Sequence, residues 1–112
     1  MDKLRFGSSG IPLSSSKEGT AAGIKRVREL KLDAMELEFV RAVYLKKDKT
    51  LEIKKVAEKE DIILTCHAPY FINLNSEDKK KFYASIGYIK NSAIITSLCG
   101  GYSVCFHAGY YQ

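Results

Sequence analysis

At 112 residues, 46% of them hydrophobic, the chain is long enough for one small domain with a core of its own. A formal charge of +5 tilts it mildly toward polyanions such as nucleic acid or phosphorylated sugars, although solvated faces at Lys46-Lys47, Lys54-Lys55 and Lys79-Lys80-Lys81 account for the same excess. No apolar run approaches the roughly 20 residues of a membrane span, and three cysteines without CxxC spacing read as reduced, buried thiols of a cytoplasmic protein.

The segment Met1 to Phe6 breaks at once into Gly and Ser, unlike a secretory leader. Leu4-Arg5-Phe6 is the first strand candidate. Gly7-x-x-Gly10 is too sparse for a phosphate-binding fingerprint. Ser15 and Glu18 have capping-box spacing, and Ala21, Ile24, Val27 and Leu30 then recur at helical spacing, predicting a helix over Lys17 to Lys31. Ala34 to Val40 is the second strand. Met35, Leu37 and Phe39 share one face of it, and Glu36 and Glu38 share the other.

Val43 to Lys49 reads as a basic loop, with Thr50 capping a helix whose stripe is Ile53, Val56 and Ala57. The third strand runs from Ile62 to His67. Ser76-Glu77-Asp78 then opens a long helix with a serine cap and acids in its first turn. Its apolar stripe is Phe82, Ile86, Ile89, Ala93, Ile94 and Leu98, and Gly100-Gly101 ends it. Tyr102 to His107 is the fourth strand. A βα unit repeated about every 30–40 residues signals a parallel α/β fold.

Strands three and four share a design. Ile62, Leu64 and Cys66, like Tyr102, Val104 and Phe106, form an apolar face suited to packing on helices. The opposite face carries Thr65, His67, Ser103, Cys105 and His107. A doubly wound sheet buries both faces and reads apolar on both, whereas one polar face suits the interior of a barrel. The expected architecture is therefore a parallel (β/α) half barrel, β-α-β-α-β-α-β, occupying residues 1–112 as one unit. A complete (β/α)₈ barrel takes about 250 residues, so the expectation is a C-terminal half outside this chain, or self-association.

His67 and His107 are the two histidines of the chain, and each ends a predicted strand. Adjacent strands lie about 4.8 Å apart, so two imidazoles at one height on one face can grip a single metal ion. Glu36 and Glu38 either stand solvated on an edge strand or line the site. Inside a barrel they require a cation such as Arg5 or Arg41, or a functional role.

The stretch His67-Ala68-Pro69-Tyr70-Phe71-Ile72-Asn73-Leu74, with Phe106-His107-Ala108-Gly109 following, resembles the endonuclease IV family of apurinic/apyrimidinic endonucleases, which are xylose-isomerase-like barrels. Leu4-Arg5-Phe6-Gly7 and Leu32-Asp33-Ala34-Met35-Glu36 look like its archaeal branch. The resemblance covers the whole chain and the first half of the family's barrel. It implies a cluster of up to three zinc ions and hydrolysis of the phosphodiester 5′ to an abasic site in double-stranded DNA. It makes His67 and His107 ligands of one zinc, Tyr70 and Phe71 minor-groove contacts beside the flipped nucleotide, and Asn73 and Leu74 structural. Ala108 replaces the usual proline of the family's His-Pro-Gly. Every later ligand is missing, so this chain alone supplies part of one zinc site and no general acid or base. A sugar or sugar-phosphate isomerase or epimerase on the same barrel, with Glu36 and Glu38 in its site, is the alternative, and a non-catalytic fragment or assembly module is the third reading. Lys46, Lys47 and Lys49 would contact DNA phosphates under the first.

Overall fold

Alternation on the second and third strands decides how the chain packs. In the computed structural model, which describes residues 2–111, β1 (Gly7–Ser9), β2 (Ala34–Glu38), β3 (Ile63–His67) and β4 (Ser103–Cys105) form one sheet in the order β1-β2-β3-β4. Every pairing is parallel. Between them lie α1 (Thr20–Glu29), α2 (Lys47–Glu60) and α3 (Lys79–Leu98). A strand order that never reverses is the wall of a barrel, not a doubly wound sheet. The half barrel is thus observed.

Met35 and Leu37 of β2 and Leu64 and Cys66 of β3 turn to the helices and are at most 1% exposed. They meet Ile24 and Val27 of α1, Ile53 and Ala57 of α2, and Ile95 of α3 with Cys99 just after it. Each such aliphatic side chain contributes about 1.5–3 kcal/mol by leaving water. At the N-terminal pole of the strands Arg5 bonds the Asp61 carbonyl (2.9 Å) and carboxylate (3.2 Å), while Arg28 donates to the Glu60 carbonyl (2.9 Å).

Several local expectations are corrected. The first strand is Gly7–Ser9, not Leu4–Phe6, though Phe6 still accepts a ladder bond from Asp33 N–H (2.8 Å). The Ser15/Glu18 box caps nothing: α1 starts at Thr20 behind Gly19, and Ser15 bonds Lys17 O in its own turn. Thr50 lies inside α2, donating to Lys47 O, so Lys47 and Lys49 belong to the helix's first turn. Asp78, not Ser76, caps α3 by accepting from Lys80 N–H (2.9 Å), and the first turn holds no acid.

The face of α3 is the largest local miss. Its buried residues are Ser85, Ser92, Ile95 and Thr96, whereas Ile86, Ile94 and Leu98 are about two-fifths exposed and Ala93 also faces out. Small side chains let the helix approach the sheet, and the Ser85 and Ser92 hydroxyls avoid an unpaired burial by donating to the carbonyls of Lys81 and Tyr88. The turn into β4 is equally close, since a Cβ on Gly101 would lie 2.3 Å from Thr96 Cγ2. Tyr102 and Phe106, expected against helices, are 65% and 39% exposed, and Val104 alone of that set is half-buried.

Candidate metal centre

β2, β3 and β4 all end at the same pole, and their uncovered faces build the site. The register aligns Glu36 with Thr65 and Thr65 with Ser103, then Glu38 with His67 and His67 with Cys105. His107 therefore does not stand level with His67. It lies two residues further along its strand direction, past the end of β4. The two rings nevertheless converge, with centroids 5.1 Å apart and planes tilted by 53°. The rings come together in space, whereas the expected equal height is corrected.

The chemistry of His67 follows from one bond. Its Nδ1 lies 2.7 Å from the Ala68 carbonyl oxygen. That oxygen can only accept, so Nδ1 is the donor, and in the neutral ring the lone pair is left on Nε2. A ring locked by a backbone carbonyl in this way is oriented as metal-binding imidazoles generally are. The backbone fixes the same strand end from both sides: Phe39 N–H donates to His67 O (2.9 Å), and Ala68 N–H donates to Cys105 O (3.0 Å).

Glu36 and Glu38 face the interior together, and a serine from the neighbouring strand holds them. Ser9 Oγ lies 2.7 Å from Glu38 Oε1 and 3.2 Å from Glu36 Oε1. Arg5 is committed to the opposite pole, and among the described residues neither glutamate pairs with a lysine or arginine. Instead the two carboxyls act on each other. The hydrogen bond to Glu38, then burial and the Glu38 charge, hold the Glu36 carboxyl above its ordinary value. The same bond holds Glu38 below its own. The pair's contribution to stability is therefore greatest where it carries one proton. It is lost as pH falls through the lowered value of Glu38, and lost again as pH rises through the raised value of Glu36. In metal-free protein, Glu38→Gln is expected to return Glu36 toward its ordinary value, read by carboxyl NMR titration; a Glu36 that titrates unchanged would show that Glu38 is not what raises it.

Tyr70 and Phe71 follow Pro69 on the loop at this pole and are 55% and 38% exposed. Their rings meet edge to face at 5.6 Å, and Phe71 packs edge-on against Tyr88 of α3 at 4.8 Å. Phe71 thus lines a groove of about 460 Å³ with Asn73, Lys81, Ser85, Tyr88 and Tyr110. Neither histidine borders this groove. Burial pushes the Cys66 and Cys99 thiols up to about 11. Cys105, expected to be buried, is exposed on the inner face beside Glu36, with Sγ 3.8 Å from Glu36 Oε2.

The donor set suits half of a metal site. The rings of His67 and His107 converge, but among the described residues no three His, Cys, Asp or Glu side chains group closely enough to hold an ion. The sequence pattern does not reveal Ser9, hidden by the misplaced first strand, or Tyr110, which lies past the last predicted strand. Tyr110 is tied down: its hydroxyl donates to the Tyr70 carbonyl and its N–H to Asn73 Oδ1. No described helix is long and apolar enough to cross a membrane.

Comparison with known proteins is consistent with this geometry. The sequence profile of the xylose isomerase-like TIM barrel matches residues 24–112. An uncharacterised protein of Methanocaldococcus jannaschii is 43% identical over 108 residues, spanning 96% of this chain and 38% of that protein. Endonuclease IV from Thermus thermophilus superposes with a TM-score of 0.77 at 20% identity, over 97% of this chain and 42% of the other. A D-psicose 3-epimerase, solved in the presence of D-fructose, superposes with a TM-score of 0.69 at 19% identity, over 92% and 37%. At such identities the two structures share a fold with this chain. The chain spans less than half the length of each of these relatives.

Proposed function

We propose that this chain, which belongs to the xylose isomerase-like TIM barrel family, supplies the first metal-binding part of a zinc-dependent endonuclease that hydrolyses DNA 5′ to abasic sites. One observation carries the reading: His67 and His107, far apart in sequence, bring their rings to 5.1 Å at the pole where such barrels keep their sites. The His67-to-Leu74 block and the fold shared with an endonuclease IV support it.

In this reading His67 Nε2 and the His107 ring hold one zinc, and further ligands come from the rest of the barrel or from a second copy. Zinc, when bound, supplies an activated water and neutralises the leaving oxygen. The remaining work falls to the chain's own residues. The Ala68 carbonyl keeps the His67 ring turned to the site. Tyr70 is the exposed aromatic placed to stack against bases, since Phe71 is partly engaged with Tyr88. Lys46 and Lys47, at the start of α2, lie within the first elements after β2 and approach DNA phosphates. The partner is abasic duplex DNA, and the setting is cytoplasmic.

A complete barrel containing this chain, loaded with zinc, is expected to nick abasic duplex and to lose that activity on chelation. Abasic duplex left uncut by the zinc-loaded protein would overturn the reading. A second reading has its own support: the Glu36–Glu38 pair, held together on Ser9 with Glu38 in register with His67, suits proton transfer on a sugar carbon, and an epimerase shares the fold. Solvent-proton exchange into a ketose, without nicking of DNA, would select it.

A further inference from the structure

His107 lies beyond the last ladder residue of β4, so strand pairing does not set its position. Something else must hold it against His67, and the contacts after it identify the agent. The segment Ala108-Gly109-Tyr110 runs along the loop that follows His67. Leu74 N–H donates to Ala108 O (2.7 Å), and Asn75 Nδ2 donates to Tyr110 O (2.8 Å). Between them sits one side-chain oxygen. Asn73 Oδ1 accepts from Asn75 N–H (3.0 Å) in its own loop and from Tyr110 N–H (3.2 Å) across the gap. Asn73 is itself pinned to α3, because its N–H donates to Ser85 Oγ (2.9 Å), which donates on to Lys81 O. The fit is close: a Cβ on Gly109 would stand 2.9 Å from Asn73 Oδ1.

We propose that Asn73 is a positioning residue, whose side-chain oxygen clamps the segment after His107 to the loop after His67 and so sets the spacing of the two imidazoles. The role is more specific than loop packing, because both of these bonds to the Asn73 side chain use Oδ1 as the acceptor. Aspartate keeps that acceptor in the same place, whereas alanine removes it and leaves two backbone N–H groups without it.

Two readouts test this. In metal-free protein, ring protons of His67 and His107 are close enough for a nuclear Overhauser effect, which Asn73→Ala is expected to abolish and Asn73→Asp to retain. In a Co²⁺ titration followed by its visible absorption, Asn73→Ala is expected to weaken binding about 10-fold or more, the order of loss when a metal-binding histidine loses its orientation, with Asn73→Asp near the parent. Only the Co²⁺ readout rests on the proposed function. A parent chain that shows the ring contact but binds no Co²⁺ would sink the metal reading and leave the clamp standing. Gly109→Ala pushes on the same oxygen from the other side, and it serves if Asn73→Ala fails to fold. Persistence of the ring contact in Asn73→Ala and Gly109→Ala, or its loss in Asn73→Asp, overturns the clamp.

Discussion

Replacing both His67 and His107 with alanine is expected to leave the half barrel folded and unable to retain zinc. Both rings lie on the uncovered face of the sheet, so truncating them opens no cavity in the core. The main structural loss is the bond from His67 Nδ1 to the Ala68 carbonyl, which is worth about 0.5–1.5 kcal/mol. The effect on metal is far larger. Catalytic zinc generally takes three protein ligands and a water, so a pair of imidazoles already binds weakly, and one imidazole is no better than a surface histidine. Each single variant is therefore expected to lose zinc nearly as completely as the double. Elemental analysis of zinc per chain, with equilibrium dialysis for the weaker cases, checks this beside a thermal melt. Zinc retained by the double variant would show that the ions sit elsewhere, and the two strand ends would lose their claim to be a site.

That the two histidines meet was legible because each ends an apolar run, at equivalent points of one repeated unit. How they meet was not. Local alternation fixes which face a side chain takes, but the relative height of two strands depends on the stagger of the whole sheet, and here it pairs His67 with Cys105. The carboxylates of Glu36 and Glu38 were assigned a shared face correctly from the pleat. Their partner stayed hidden, because the first strand was expected at Leu4–Phe6, whereas Ser9 is the last residue of β1.

The same limit explains α3 and the caps. A helix rich in apolar residues offers more than one candidate stripe, and the sheet chose the face with the smaller side chains, Ser85 and Ser92, over Ile86 and Ile94. Spacing alone made Ser15–Glu18 look like a capping box. A turn closed by the Ser15 N–H to Pro12 O bond absorbs that serine before the helix begins. Asn73 and Tyr110 act across a gap between loops, and no periodicity reports on such a contact.

Phe39→Ala is expected to destabilise the fold by about 3–5 kcal/mol, the range for truncating a fully buried aromatic. The ring is 0% exposed and packs edge to face on Tyr44 with centroids 5.2 Å apart. Its loss removes both the buried area and the aromatic pairing. A domain of this size commonly has a total stability of about 5–15 kcal/mol, so the variant is expected to sit near or below the threshold of folding at 37 °C. The position also links core to site. Phe39 N–H donates to the carbonyl of His67, so the residue that anchors the core just past β2 also holds the end of β3. Phe39→Leu keeps most of the volume and the same backbone bond, and it is expected to cost markedly less and to keep the two imidazoles in contact. Urea denaturation of the three proteins checks the order. Equal midpoints for Phe39→Ala and the parent, at equal m, would mean that the Phe39 ring is not what stabilises the core.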